Sequence, residues 1–293
     1  MSENELSTWD GFSTKSVSKA LTYKVLGPTA DYLGNKLSQY TQKSIENIER
    51  IFVKAGELLS EESETHGQVP PRILKHILSE GAFVDDQVSS SYLAGVLASS
   101  KSEDPSDDRG IVVNSLIARM SSYQLRMHYI TYSAVQFLFR GTQRSLESQL
   151  PHSNAVRIST VAMLFSMNFA SEYQDKNREF DDRLFSILSH CLYNLDKEGL
   201  ISDWEFDWHN GFRLTPTPLG IELYLWAHGC GNCRLEYFFD KSFGDLQLDK
   251  DVPILIGNYE LSSDEHSLEK YTIEGFYYVD HYANIICQLQ KAE

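Results

Sequence analysis

Apolar residues recur at helical spacing through most of the first half of the chain. Leu33, Leu37, Tyr40, Ile45, Ile48, Ile51, Phe52, Ala55 and Leu58 fall on one face of a long amphipathic helix, and Gly27-Pro28 marks the break before it. Ser60–Gln68 is polar, contains Gly67 and reads as a loop. Pro70 and Pro71 suit the first turn of a second helix, where a missing amide donor costs nothing. Its stripe is Ile73, Leu74, Ile77 and Leu78, and Gly81 ends it. Asp85-Asp86 caps a third helix that turns Val88, Tyr92, Leu93, Val96 and Leu97 inward. After the charged loop Lys101–Gly110, the residues Ile111, Val112, Leu116, Ile117 and Met120 mark a fourth. Ser121-Ser122-Tyr123-Gln124 fits a capping box, and Leu125, Tyr129, Tyr132, Gln136 and Phe139 form the stripe of a fifth. Met1–Lys15 lacks periodicity and reads as a loose tail.

The pattern then changes. Val156, Ile158, Val161, Leu164 and Phe165 mark one helix; Leu184, Ile187, Leu188, Cys191, Leu192 and Leu195 mark another, closed by Gly199 as a left-handed cap. Trp204, Phe206 and Trp208 alternate with Glu205 and Asp207, the period of a strand. Asn210-Gly211 is a strong hairpin signal, Phe212–Thr215 makes the return strand, and Thr217-Pro218 opens a helix with Leu219, Leu223 and Trp226. Helix, glycine, hairpin, helix is a winged-helix pattern, against an unspecialised helix-and-hairpin unit. Short β-like runs at Val252–Gly257, Tyr271–Val279 and Ile285–Leu289 point to a small closing subdomain. The expected fold is mainly α: a tail at 1–15, a helical domain over 16–150, a winged-helix-like α+β domain over 151–235, and a small β-containing C-terminal segment over 236–293.

Some of these segments carry a family resemblance. Gly27-Pro28-Thr29-Ala30 ahead of the long helix, then Val69–Ser100 (VPPRILKHILSEGAFVDDQVSSSYLAGVLASS), resembles the bacterial abortive-infection alpha family. Members carry a Gly-Pro-Ala-like start, a Val-Pro helix, an acidic turn and a Trp-Ala-x-Leu-Leu-Ala-like helix. That last element stands here as Tyr92-Leu93-Ala94-Gly95-Val96-Leu97-Ala98, with Tyr in place of Trp. Met120–Ile130 and the stretch from LDKEGLIS to FRLTPTPLG look like the family's later helix and its winged-helix-type ending, so the resemblance spans roughly residues 27–228. It implies a role in bacterial phage defence and supplies no catalytic residues.

Composition narrows the function classes. The 293 residues include 26 Lys and Arg against 41 Asp and Glu, a net charge of −15, the reverse of what phosphate neutralisation requires. From Asp181 to Glu293 there are 20 acidic and 8 basic residues, so −12 of that charge lies in the C-terminal part. Four cysteines are too few for a disulfide framework, Met1–Asp10 has no signal-peptide pattern, and the longest mostly apolar stretch, Val161–Ala170, is too short to span a bilayer. A cytoplasmic protein without a transmembrane segment is the expectation.

No Walker loop, GxGxxG, GxSxG or HExxH motif is present, so the reading is a non-enzymatic protein. His228, Cys230 and Cys233 are the best metal candidate, with Cys287 or His281 able to complete a zinc site only by folding back. The plainer reading is two ordinary thiols and no cofactor; thioredoxin-type chemistry would need a strand–CxxC–helix context. Glu103–Asp108 reads as a solvated loop, and His76 and His128 as ordinary helical histidines. The presumed recognition helix, Asp181–Asp196, offers Arg183 and Asn194, and the hairpin is acidic where a DNA-binding wing is basic. Trp204, Phe206 and Trp208 are therefore candidates for binding a protein partner, phage or host, or else for covering the domain's own core. A homo-oligomer is a further option. The alternative is a nucleic-acid-binding regulator using Arg119, Arg126, Arg140, Arg144 and Arg157, weighed against plain helix-packing arginines.

Overall fold

Several helices of the structure, a computed structural model, begin or end at residues whose local chemistry caps them. The structure describes residues 42–59, 67–104, 106–139, 141, 156–169, 172, 180–208 and 211–243, with three two-residue strands nearer the C-terminus. Among these, eight helices and a small antiparallel sheet make the chain mostly helical, and no helix is long and apolar enough to cross a membrane. Met1–Lys15, Gly27-Pro28, Leu33, Leu37, Tyr40 and Ile285–Leu289 lie outside the described residues. The chain divides into two compact units, 1–120 with 225–233 and 121–224 with 234–293.

In the first unit, α1 (Gln42–Leu58), α2 (Pro71–Gly81), α3 (Gln87–Ser99) and α4 (Gly110–Ala118) enclose one apolar core. Ile48, Ile51, Phe52, Ile73, Leu74, Ile77, Tyr92, Val96 and Leu97 are buried in it. Pro71 starts α2, and Asp86 caps α3 by accepting from Ser89 N–H at 2.8 Å. Asp85, one residue earlier, takes Lys43 Nζ at 2.7 Å and Asn47 Nδ2 at 3.2 Å, and the Lys43 bond chiefly holds its carboxyl below the usual range. Two stripe residues in this unit differ from expectation, and the first, Leu58 at the C-terminal end of α1, is 38% exposed. Val112 is 74% exposed, because a nine-residue helix with Leu116, Ile117 and Asn114 inward leaves it on the outer face.

The second unit is built around α5 (Ser122–Phe139) and α7 (Asp182–Lys197). Ser121 and Gln124 form the expected reciprocal box: Ser121 N–H donates to Gln124 Oε1 at 2.8 Å and Gln124 N–H to Ser121 Oγ at 3.3 Å. Asp181 caps α7, and Gly199 at φ 73° closes it with Leu200 N–H on Leu195 carbonyl at 2.8 Å. Val156 and Ile158 are a correction. They form strand β1 (Val156–Ile158), and the helix α6 starts only at Thr160, capped by Ser159, and runs to Ser166. Two buried β-branched residues two apart fit a strand as well as a helix; pairing with a distant strand decides.

That strand is β3 (Gly211–Pro216), which also pairs antiparallel with β2 (Ile201–Asp207). The sheet order is β2-β3-β1-β5, with β5 (Glu260–Leu261) on the far side of β1. β4 (Leu255–Ile256) pairs separately with β6 (Tyr277–Tyr278). After β3, Thr217 Oγ1 accepts from Gly220 N–H at 3.1 Å and opens α8 (Pro218–Ala227); the division between the units falls inside this helix, after Tyr224. A 3₁₀ turn follows at Leu235–Phe239.

Candidate functional site

Strand β2 sends alternate side chains to opposite faces, and the inner row meets a row of rings on and just before α7. Trp208 packs edge-on against Phe180 with centroids 5.2 Å apart, Phe206 stacks on Phe185 at 4.9 Å, and Trp204 meets Tyr193 edge-on at 4.8 Å. Phe206 also stacks on Phe212 of β3 at 4.2 Å. Trp208 is buried, at 7% exposure, and its carbonyl accepts from Thr160 Oγ1 at 2.8 Å. Trp204 and Phe206 are half-buried. The outer partners stay open, Phe180 at 50% and Tyr193 at 64%. The three strand aromatics thus share one face as their alternation implies, and within this row the rings most available to a partner are two that the sequence reading passed over. Their signal was slight: Tyr193 sits beside the leucine stripe of α7, and Phe180 lies just before the Asp181 cap.

The outward row of β2, Asp203, Glu205 and Asp207, is exposed. Asp203 has φ 45°, at a shift in register between Ser202 and Glu205. Across the sheet the backbone register runs Glu205, Arg213, Arg157, Glu260. On α7, Arg183 pairs with Glu172, and Asn194 Nδ2 donates to His190 carbonyl at 2.9 Å. The two polar groups proposed as base-reading residues therefore both have intramolecular partners.

The arginines of the alternative reading do not form one helical face. Arg119 ends α4 in the first unit and is exposed. Arg126 lies on α5, where Nε donates to Ser166 carbonyl at 2.5 Å and Nη2 to Asn168 Oδ1 at 3.2 Å, so it closes the C-terminal end of α6. Arg157 is on β1, and Arg140 and Arg144 lie outside the described residues.

Cys230 and Cys233 stand in a turn closed by Cys233 N–H on Cys230 carbonyl at 2.9 Å. Cys230 Sγ lies 3.6 Å from His228 carbonyl oxygen, and burial, with the Cys233 thiol beside it, pushes the Cys230 thiol up to about 12. Among the described residues no three His, Cys, Asp or Glu side chains gather as a metal site; His281 and Cys287 lie outside them. Cys191 is buried in α7, and burial raises its thiol to about 12.

His128 and Tyr132 are fully buried on α5, with rings stacked at 4.5 Å. His128 Nε2 lies 3.1 Å from Gly220 carbonyl oxygen; the Tyr132 hydroxyl donates to Leu200 carbonyl and accepts from Thr217 N–H at 3.0 Å. Both side chains thus spend their polar atoms on backbone groups of the second unit, the role expected of an ordinary core histidine. No family model matches the chain, and neither a curated protein nor a solved structure shows significant similarity to it.

Proposed function

We infer that this chain is a non-enzymatic antiviral protein of the abortive-infection type that acts by binding another protein. In this reading residues 151–235 form a degenerate winged helix. The order β1, α6, α7, β2, β3, α8, with β1 lying beside β3, supports that description. The observation that carries the binding role is the row of ring pairs between α7 and β2, with Phe180 and Tyr193 exposed on top of half-buried or buried partners. Aromatic rings already braced from below lose little freedom when covered, and such rings dominate interface energetics. The exposed Asp203, Glu205 and Asp207 repel phosphates and favour a protein over a nucleic acid on this unit. Phage defence itself rests on the resemblance of residues 27–228.

The test is phage challenge of bacteria expressing the wild type, Phe180→Ser, Tyr193→Ser or both, with thermal midpoints measured alongside. Protection should fall in the double variant while its midpoint stays near the wild type. Full protection by the double variant would remove the ring row as the binding surface, and no protection by the wild type would remove the defence role. Retention of wild-type protein on DNA at low salt would move the reading to nucleic acid.

A further inference from the structure

We propose that Cys230 and Cys233 form an oxidisable dithiol, a modification site that closes to an intrachain disulfide by exchange with a small-molecule disulfide and so fixes the turn that holds the end of α3. The geometry is that of a reverse turn. Its ends are tied by the Cys233 N–H to Cys230 carbonyl bond at 2.9 Å, which brings the two Cα atoms within the roughly 7 Å of such turns. A disulfide needs Cα atoms about 4.4–6.8 Å apart, so closure asks for little backbone movement. Cys233 is exposed and Cys230 half-buried, which assigns the order of attack.

The residues between the cysteines give closure something to act on. Gly231 N–H donates to Ser99 Oγ at 3.0 Å and Asn232 Nδ2 to Ser99 carbonyl at 3.0 Å, while Arg109 Nη2 donates to Asn232 Oδ1 at 2.8 Å. The Gly-Asn pair therefore clamps the last residue of α3, and Gly231 lies so close over the Trp226 ring that a Cβ would overlap it.

The exchange balances in two steps. The Cys233 thiolate attacks one sulfur of R–S–S–R; a Cys233–S–R bond forms, the small disulfide breaks, and R–S⁻ leaves with the electron pair. Deprotonated Cys230 then attacks Cys233 Sγ, the internal bond forms, and the second R–S⁻ leaves. The two thiol protons of the protein end on two R–SH molecules; the protein loses two electrons and the small disulfide gains them.

The experiment equilibrates the full chain in glutathione and glutathione disulfide at graded ratios, quenches in acid, alkylates, digests and weighs the peptide containing residues 230–233. The wild-type peptide should become two hydrogens lighter and resist alkylation as the buffer turns oxidising. Cys230→Ser should stop at a glutathione adduct on Cys233, and Cys233→Ser should leave Cys230 free of glutathione. Trp226 emission should drop on closure, and the Gly231 and Asn232 amides should exchange several-fold more slowly. The proposal falls if both wild-type thiols stay alkylatable at every ratio, or if either pairs with Cys191 or Cys287. Zinc bound by the two thiols and blocking exchange would also overturn it. Because the wild-type peptide alone decides, a misfolded serine variant does not leave the question open.

Discussion

The Tyr132 hydroxyl joins the start of β2 to the start of α8 by serving Leu200 carbonyl and Thr217 N–H at once, with no solvent access. Removing only that oxygen leaves two backbone groups buried without their partner, and each such group costs about 1–3 kcal/mol. Tyr132→Phe should therefore lower the denaturant midpoint by at least the lower end of that range, with the slope unchanged. An unaltered midpoint would mean the two groups find other partners. Gly95 makes a different point. In mid-helix, alanine normally stabilises by about 1 kcal/mol relative to glycine. Here a Cβ would overlap the Ala227 carbonyl, backbone that cannot swing aside, and overpacking typically costs about 1–3 kcal/mol. Gly95→Ala should destabilise on balance, read as a lower thermal midpoint.

Helix caps decide where elements begin, and they are local enough to be tested singly. Asp86→Ala removes the acceptor for Ser89 N–H and should cost about 1 kcal/mol in equilibrium unfolding, whereas Asp86→Asn should restore most of it. The same locality explains what could be read without coordinates. Asp86, the Ser121–Gln124 box, Gly199 and Thr217 each act within a few residues, so each shows in the sequence. Strand β1 does not: Val156–Ile158 becomes a strand because Phe212–Leu214, more than fifty residues on, lies beside it. The ring row is hidden for the same reason, since nothing along the chain pairs Tyr193 with Trp204 or Phe180 with Trp208. Likewise Arg119, Arg126 and Arg157 look clustered in the sequence but fall on α4, α5 and β1. Asn232 reads as a spacer between cysteines until Ser99 is seen against it.

Charge is a property of the whole molecule. A net of −15 opposes compaction, and the exposed pairs Lys43–Asp85 and Arg72–Asp108, with side chains 50–70% open, contribute little against it. Raising salt from about 10 to 150 mM shortens the Debye length from about 30 to 8 Å and weakens both effects. Repulsion involves far more charges than the pairs do, so the thermal midpoint should rise by a few degrees. A fall would show that specific ion pairs outweigh the collective field.

Gly95 and Ala227 meet within one unit although the chain leaves that unit at residue 120 and returns at 225. On a ribosome this imposes a wait. The helices α1–α4 emerge first, with the slot above Gly95 and Ser99 unfilled. About 100 residues must then be added, some 5–20 s at usual elongation rates, before Leu225–Cys233 can occupy it. For that interval the nascent chain carries an open apolar slot of the kind chaperones recognise. A message truncated after Tyr224 should yield insoluble protein, and a separately supplied peptide covering residues 221–236 should recover part of it in soluble form. Soluble, cooperatively unfolding protein from the truncated message alone would show that the first unit completes itself without its returning segment.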